Sequence, residues 1–321
     1  MRLEPVEVQS VSCPMCQGNH SIEVAHGPDY DHHLCGDQQF TLVLCSACGT
    51  FYLNPRPTIA MLPHIYAAEK YYSYRFSREG NNWVQRARSS RDRRKIRQLL
   101  GHTPLDYSNL KVLDIGAGDG AFLKAFQNAG IPPPNLYGLD LEPNAVKYLE
   151  NEGFRGLLGR VEELQMPPGS FDLISMVQVL EHLATPAEVL ASVFHWLKPG
   201  GLLLIETPNM EGWDRRFFAR QTWGGYHFPR HWTLWGWSSL KRFLTQNGFE
   251  ILSFSTPAAA VTLTWSVNHL LQQKGFPAPL AGLFSMQNPL ALGLFWLVDL
   301  LPSLLKRSSN MRIIARRRER L

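Results

Sequence analysis

Three closely spaced glycines form the part of this sequence best suited to bind a small ligand. The segment Asp114-Ile-Gly116-Ala-Gly118-Asp-Gly120 follows an apolar run and precedes an amphipathic one, so it predicts a strand, a tight loop and a helix start. Glycine lets the backbone approach a ligand that a Cβ atom would keep away, and the first N–H groups of the helix face that ligand. Asp140 ends the next apolar run, where its carboxylate can accept hydrogen bonds from both hydroxyls of a ribose. The pattern therefore predicts a site for a cofactor that carries a nucleoside.

Two kinds of cofactor compete for this pattern. Gly116-x-Gly118-x-x-Ala121 also satisfies the fingerprint of dinucleotide-binding proteins, in which the helix start holds a pyrophosphate. The carboxylate of Asp114 would repel a pyrophosphate and attract an ammonium group. No further nucleotide-type fingerprint follows in the chain. These arguments favour a nucleoside cofactor with an amino group over a dinucleotide.

Two downstream blocks identify the family that the sequence resembles. The first runs from Phe171 through Gln178 to Glu181-His182, and the second runs from Leu197-Lys-Pro-Gly-Gly to Thr-Pro-Asn209. In this order, the glycine loop and these blocks resemble class I S-adenosylmethionine (SAM) methyltransferases. The similarity is greatest to the small-molecule branch that includes the ubiquinone-biosynthesis O-methyltransferases. It covers residues 105–255 and a terminal strand, and it implies an α/β fold with a Rossmann-like, seven-stranded sheet.

The resemblance implies a role for each residue around the cofactor. The glycine loop would wrap the methionine moiety, Asp140 would bind the ribose, and Leu141 would pack on the adenine. Many relatives have Asp where this chain has Arg160, so we expect the adenine amino group to be bound by the backbone or by Glu162. The predicted cofactor-binding residues are Asp114, Gly116, Gly118, Gly120, Asp140, Leu141, Val161, Glu162 and Gln178.

Four of the five cysteines form two C-x2-C pairs separated by 28 residues. They are Cys13, Cys16, Cys45 and Cys48. This spacing predicts tetrahedral thiolate coordination of Zn²⁺ in an N-terminal zinc ribbon, with unligated thiols or a redox pair as the alternative. Four thiolates leave no open position on the metal, so the zinc is expected to be structural. Cys35, next to His32 and His33, is predicted to be a free cysteine, although the two histidines are alternative ligands.

The chain divides into three parts by its pattern. We predict a zinc ribbon over residues 1–57, a helical segment that covers the cofactor over 58–104, and the methyltransferase domain over 105–321. In the helical segment, Tyr71 or Tyr72 is expected to close over the site. The basic run from Arg86 to Arg97 predicts either a solvated helix face or a contact with anionic lipid or a phosphorylated substrate.

An apolar insertion over residues 257–309 precedes the last strand. Its two most apolar segments, Ala258 to Leu271 and Leu290 to Leu305, fall short of the roughly 18–20 uninterrupted apolar residues of a spanning helix. A helical hairpin in the membrane interface is one interpretation. A hairpin that packs over the substrate pocket, or a dimer contact, is the other.

The composition predicts an ordinary globular protein. Hydrophobic residues make up 45% and charged residues 18%, with a net charge of +5. Because the N-terminus lacks an apolar secretory core, we expect a cytoplasmic protein, at the inner face of the membrane if the insertion meets lipid.

Histidines are the candidate residues for the chemistry. Transfer of a methyl group to a hydroxyl requires alignment, exclusion of water and removal of a proton. His231 is predicted as the base or as the group that orients the acceptor, with His227 beside it; the alternative is that both are packed, hydrogen-bonded histidines. His182 ends Gln178-Val-Leu-Glu181-His182, which resembles the Glu-x-x-Glu-His segment that holds a divalent cation in ubiquinone-type enzymes. The neutral Gln178 is a weaker ligand and argues against Mg²⁺ here, and Glu181 and His182 are alternatively structural.

The leading hypothesis is therefore a SAM-dependent methyltransferase that acts on a small-molecule or lipid-linked acceptor, with O-methylation slightly preferred. One alternative is an rRNA methyltransferase, in which the zinc ribbon and the basic helix bind RNA. The Thr207-Pro-Asn209 segment differs from the loop that clamps a flipped base, which argues against nucleic acid. A non-catalytic SAM-binding protein is the third alternative. The oligomeric state is left open.

Overall fold

The N-terminal residues form short antiparallel strands. The computed structural model describes residues 5–66, 82–103 and 106–319, with the backbone alone at 82–88. The strands are β1 (Val8–Gln9), β2 (Ser21–Gly27), β3 (Phe40–Cys45), β4 (Phe51–Leu53) and β5 (Arg56–Pro57). In the β2–β3 hairpin, Ser21 pairs with Cys45 and Gly27 pairs with Phe40. The cysteine pairs therefore lie at one end of this hairpin, and loop 28–39 lies at the other, as a zinc ribbon requires.

A helix connects the ribbon to the first strand of the large sheet. After the short α1 (Leu62–Ile65), helix α2 spans Asn82–Leu100. Its buried side includes Ile96 and Leu99, and the arginines at positions 91, 93, 94 and 97 are exposed. These arginines thus form a solvated face. Tyr71 and Tyr72, predicted to cover the cofactor, lie outside the described residues.

Five parallel strands form the centre of the molecule. They are β6 (Val112–Ile115), β7 (Leu136–Asp140), β8 (Arg155–Leu158), β9 (Phe171–Val177) and β10 (Leu197–Pro208). Helices alternate with them, namely α3 (Ala121–Asn128), α4 (Pro143–Asn151) and α5 (Pro186–Trp196). The spatial order is β10-β9-β6-β7-β8. Because β6 lies at the centre, its glycine loop is flanked by the carboxyl ends of β7 and β9, where ligands bind in such sheets.

A segment after β10 joins the ribbon to the large sheet. It contains α6 (Arg215–Phe218) and the two-residue strand β11 (Thr233–Leu234), which pairs antiparallel with β4. The ribbon sheet therefore has the order β11-β4-β3-β2. Sequence patterns do not predict β11, because two residues are too few for an alternation to be recognised.

The last elements complete a seven-stranded sheet. Helix α7 (Trp237–Gln246) leads to β12 (Phe249–Ser255), and the chain ends in β13 (Asn310–Arg317), which lies between β10 and β12 and is antiparallel to both. The predicted fold class is thus confirmed. The division at residues 57 and 104 stays a prediction.

The insertion between β12 and β13 is helical, as predicted. Its helices are α8 (Ala260–Gln273), α9 (Ala278–Gly282) and α10 (Pro289–Leu304). Within the described residues, no helix combines the length and the apolar character needed to cross a membrane. One side of α10 exposes large apolar side chains to solvent, including Leu290, which is 81% exposed, and Leu301, which is 64% exposed.

Candidate active site

The glycine loop has the backbone that its sequence predicts. Gly116, Gly118 and Gly120 have φ values of +74°, +53° and +66°, in the left-handed region that favours glycine. A Cβ atom on Gly116 would lie 2.5 Å from Cγ2 of Val179, whereas a Cβ on Gly118 would meet no atom within 4 Å. Gly116 is therefore required for close packing on the segment after β9, and Gly118 leaves its backbone open to a ligand.

The carboxylate of Asp140 connects this loop to the end of β7. One oxygen accepts a hydrogen bond from the Gly118 N–H at 2.8 Å, and the other accepts one from the Glu142 N–H at 3.0 Å. Asp140 therefore lies against the glycine loop, and its contact with a ribose stays a prediction.

Asp114 lies beneath the loop and is only 3% exposed. The Ser175 hydroxyl donates a hydrogen bond to it at 2.7 Å, and burial raises the pKa of Asp114 to about 7. Asp114 thus carries only a partial negative charge near neutral pH. The electrostatic argument against a pyrophosphate is correspondingly weaker than the sequence suggests.

The residues predicted to lie near the adenine differ in their exposure to solvent and in their hydrogen-bond partners. Leu141 is 52% exposed beside Asp140, and Val161 is buried. The Glu162 carboxylate accepts a hydrogen bond from the Ala184 N–H at 3.0 Å and forms an ion pair with Arg160. Glu162 is therefore already bound on one oxygen, and its contact with adenine stays a prediction.

Gln178 follows the last residue of β9 and has a left-handed conformation, with a φ of +57°. Its side-chain amide donates a hydrogen bond to the Asn310 side chain at 3.0 Å. This contact connects the strand end that borders the cofactor loop to the start of β13.

The structure brings together the three histidines that are predicted as catalytic. The ring centroids of His182 and His231 are 4.7 Å apart, those of His227 and His231 are 4.9 Å apart, and those of His182 and His227 are 6.4 Å apart. His182 ends a short helical turn, Leu180–His182, that begins two residues after Gln178. The cluster therefore begins within one turn of the cofactor edge of the sheet.

Hydrogen bonds fix the tautomers of two of these rings. Nδ1 of His231 lies 2.8 Å from the Gly225 carbonyl oxygen, and Nδ1 of His227 lies 2.7 Å from the Asp31 carboxylate. Both partners only accept, so Nδ1 carries the hydrogen in each ring and Nε2 of the neutral ring has the lone pair. His182 differs, since its Nδ1 lies 2.7 Å from the Tyr66 hydroxyl and 3.1 Å from the Arg230 carbonyl.

Burial keeps two of the three rings neutral. It lowers the pKa of His182 to about 3 and holds the pKa of His231 well below its usual value, with further lowering by the neighbouring histidines. Neutral imidazoles of this kind can orient a hydroxyl by accepting its hydrogen bond.

Sequence reasoning missed the residues that support this cluster. They are Asp29, Asp31, Tyr66, Arg230 and His269, which come from the ribbon loop, the end of α1, the segment after β10 and helix α8. The run Asp29-Tyr-Asp31-His32-His33 is unusually rich in titratable groups. The density of titratable groups in this run is a sequence signal for a functional segment, but it does not indicate which distant residues the run contacts.

A Mg²⁺ ion does not fit the donors near Glu181. One potential ligand atom each from Glu181, His182 and His231 lies within 4.8 Å of the others. Two of the three are imidazole nitrogens, whereas Mg²⁺ requires oxygen ligands. Burial also raises the pKa of Glu181 to about 8, so this carboxyl is mostly protonated at neutral pH.

The four-cysteine cluster fits a zinc ion. Cys13 Sγ lies 3.6 Å from Cys48 Sγ, and Cys16 Sγ lies 3.6 Å from Cys45 Sγ. Tetrahedral thiolates at about 2.3 Å from zinc would be separated by about 3.8 Å. Cys35 lies outside the cluster, and burial raises the pKa of its thiol to about 12.

Together, the sheet order, the glycine loop after β6 and the carboxylate at the end of β7 define the class of Rossmann-like SAM-dependent methyltransferases. The family described as "Methyltransferase domain" matches residues 83–254, which is more than half of the chain. The chain belongs to this family.

Curated relatives include enzymes with different substrates. The ubiquinone biosynthesis O-methyltransferase of Xylella fastidiosa (strain 9a5c) is 31% identical over 109 residues, which are 32% of this chain and 43% of the relative. The tRNA U34 carboxymethyltransferase of Desulfotalea psychrophila is 32% identical over 131 residues, which are 38% of this chain and 39% of the relative. The chain therefore spans less than half the length of these relatives.

Solved structures share the fold. The phosphoethanolamine N-methyltransferase 2 of Haemonchus contortus, in complex with S-adenosylhomocysteine, has a TM-score of 0.53 at 18% identity over 84% of this chain and 63% of that one. A methyltransferase from Galdieria sulphuraria has a TM-score of 0.50 at 15% identity, over 72% of this chain and 87% of that one. At these identities the comparison establishes the fold alone.

Proposed function

We propose that this protein transfers the methyl group of SAM to a hydroxyl of a small-molecule or lipid-linked acceptor. The observation that carries this proposal is the histidine cluster, which starts one turn beyond the strand that borders the glycine loop. An acceptor bound against these rings would lie beside the cofactor. The matches to ubiquinone biosynthesis O-methyltransferases support an oxygen acceptor.

The cofactor would be held by the edge of the sheet. When bound, SAM supplies a methyl group on a positively charged sulfur, which an acceptor oxygen displaces. We propose that the Gly118 backbone and the carboxylate of Asp140 bind the cofactor at the ends of β6 and β7. Leu141, half exposed beside them, offers an apolar surface for the adenine.

The acceptor would be oriented by imidazole nitrogens. His227 and His231 each have Nδ1 occupied by an acceptor group, so Nε2 can accept the hydroxyl hydrogen. The indole of Trp265 stacks on His227 with an interplanar angle of 12° and a centroid distance of 5.0 Å. Such aromatic cover excludes water from the reacting oxygen, which methyl transfer requires.

Exposed leucines support a lipid-linked acceptor. Leu290, Leu294, Leu297 and Leu301 follow helical spacing on one side of α10, and each is more than half exposed. Exposed Lys306 and Arg307 follow directly after this helix. An apolar face next to basic residues is typical of a helix that lies on an anionic lipid surface. We therefore propose that α10 contacts the membrane that contains the acceptor.

RNA is the second candidate acceptor. The exposed arginines of α2, at positions 91, 93, 94 and 97, support it, as does the match to a tRNA-modifying relative. Binding to RNA through these residues would weaken steeply with salt, because phosphate contacts release counterions. A filter-binding titration with total RNA at two salt concentrations tests this alternative.

The proposal is tested with SAM that carries a labelled methyl group. Purified protein is incubated with lipid, small-molecule and RNA fractions of a cell extract, and the labelled product is identified. We expect label in an O-methyl group of the lipid or small-molecule fraction. The His231→Gln variant should lose this activity, whereas His195→Gln, at an exposed position on α5, should retain it. Label in RNA alone, or in no fraction, would contradict the proposal.

We also propose that the four cysteines hold a structural zinc ion. We further propose that the chain divides into three parts at residues 57 and 104. The cluster geometry supports the zinc ion. In this arrangement the zinc stabilises one end of the β2–β3 hairpin, and loop 28–39 at the other end approaches the histidines.

A further inference from the structure

Asp31, in the loop of the zinc ribbon, contacts two imidazoles from distant parts of the chain. One carboxylate oxygen lies 2.7 Å from Nδ1 of His227, and the other lies 2.8 Å from Nε2 of His269 in α8. The Asp31 side chain is 6% exposed, and those of His227 and His269 are 5% and 4% exposed. Although burial alone would raise its pKa, the interactions with His269 and His227, which include a hydrogen bond to each ring, hold the pKa of Asp31 well below its usual range. Asp31 is therefore a buried, ionised carboxylate.

His227 is held in place from several sides. Its backbone has a φ of +42°, in a region that side chains other than glycine rarely adopt. Trp265 stacks on one face of the ring, and His32 makes an edge contact at a centroid distance of 6.0 Å. Strained backbone of this kind persists where the surroundings over-determine it, which is common at functional sites.

Among the described residues, a carboxylate is hydrogen-bonded to one of the three clustered imidazoles, and that imidazole is His227. His231 contacts a carbonyl oxygen, and His182 contacts a carbonyl oxygen and a phenol. A base that accepts a proton becomes positively charged, and in a buried site this charge must be balanced. Within the part of the chain that the structure describes, no carboxylate is hydrogen-bonded to His182 or His231, and burial holds the pKa values of both rings low. They suit orientation of the acceptor better than proton transfer.

We propose that Asp31 is a positioning residue that holds His227 as the base of the methyl transfer, so that the zinc-ribbon module forms part of the active site. This inference rests on the proposed O-methyl transfer. The hydroxyl oxygen of the acceptor bonds to the methyl carbon as the carbon–sulfur bond breaks, and that electron pair stays on sulfur. The hydroxyl proton passes to Nε2 of His227, the carboxylate of Asp31 balances the imidazolium charge, and the proton then leaves to water.

The Asp31→Asn variant tests the inference by spectroscopy. The amide of Asn can donate to Nδ1 of His227, which would place the ring hydrogen on Nε2 and remove the lone pair from the acceptor side. Two-bond ¹H–¹⁵N spectra, assigned with His227→Gln, should show the Nδ1–H tautomer in the wild type and its loss in Asp31→Asn. The Asp37→Asn variant, at an exposed position of the same loop, should keep the wild-type spectrum. An unchanged tautomer in Asp31→Asn would overturn the inference.

Kinetics supply the second measurement, on the acceptor fraction that the labelled-methyl assay identifies. Asp31→Asn should lower kcat by about 100-fold or more with the acceptor KM within about 3-fold, and His227→Gln should match it. Calorimetry with S-adenosylhomocysteine should show unchanged binding in both variants. If Asp31→Asn does not fold, the kinetics of His227→Gln test the inference. A folded His227→Gln variant that keeps the wild-type kcat would overturn the role of His227 as the base. Absence of methyl transfer by the wild type would instead overturn the proposed function itself.

Discussion

The guanidinium of Arg230 binds the carboxylate of Asp29, which lies 201 residues earlier in the chain, through two hydrogen bonds of 2.9 Å and 3.1 Å. Both side chains are fully buried. The Arg230 Nε also donates to the Ile65 carbonyl at 2.9 Å. This ion pair fixes the ribbon loop against the segment that carries His227 and His231, so the two parts of the chain pack together beside the histidine cluster.

Loss of either partner of this pair should strongly destabilise the fold. Removing one member of a buried ion pair leaves the other charge uncompensated, at a cost of about 3 to 5 kcal/mol. We expect Asp29→Asn to reduce the free energy of unfolding by this amount in urea titrations. Glu250→Gln, which removes the exposed pair between Glu250 and Arg316, is the matched control and should change the midpoint far less. Equal midpoints for the two variants would contradict this prediction.

Binding of the cofactor product should depend on Asp140. The Asp140→Ala variant removes the carboxylate that binds the Gly118 N–H and is proposed to bind the ribose. A hydrogen bond to a charged group contributes about 1.5 to 3 kcal/mol, so affinity for S-adenosylhomocysteine should fall by about 10- to 100-fold. Calorimetry measures this change. Asp172→Ala, at the amino end of β9, should bind as tightly as the wild type; if it weakens binding equally, Asp140 has no special role.

The zinc proposal predicts a metal content. Mass spectrometry of the purified protein should find one zinc ion per chain, and Cys45→Ser should lose it and melt at a lower temperature. Cys35→Ser provides the control, because Cys35 is buried but lies outside the cluster. Zinc retained in Cys45→Ser, or absent from the wild type, would exclude this site.

Asp114 should make stability depend on pH. Burial raises its pKa to about 7, whereas the reference value is 3.8. Between these two values the folded state binds more protons than the unfolded state, so the free energy of unfolding falls as the pH rises from about 4 to about 7. The uncharged Asp114→Asn variant should lose less stability over this range. Urea titrations at several pH values measure both slopes, and identical slopes would show that Asp114 ionises normally.

The apolar face of α10 should bind lipid. We expect the protein to co-sediment with vesicles that contain anionic phospholipid, and a Leu294→Glu/Leu301→Glu variant to bind at least about 10-fold less, since each buried leucine contributes about 1.5 to 3 kcal/mol. Ile22→Glu changes an equally exposed apolar residue on the ribbon and is the control. If the double variant binds as well as the wild type, the face instead serves another partner.

Local patterns allowed much of the fold to be predicted. The glycine loop and Asp140 occur where the sequence places them, because turn chemistry and apolar runs act over a few neighbouring residues. The cysteine pairs are similarly local, and their spacing alone indicates a four-thiol cluster.

The amino-acid sequence by itself therefore determined the cofactor edge of the sheet, the cysteine cluster and the candidate histidines. Only the tertiary structure decided which groups surround those histidines. Asp31 lies 196 residues from His227 and 238 residues from His269, and strand β11 pairs with a ribbon strand far earlier in the chain. Contacts over such separations arise when packed layers bring loops together, and no periodicity or spacing along the chain records them.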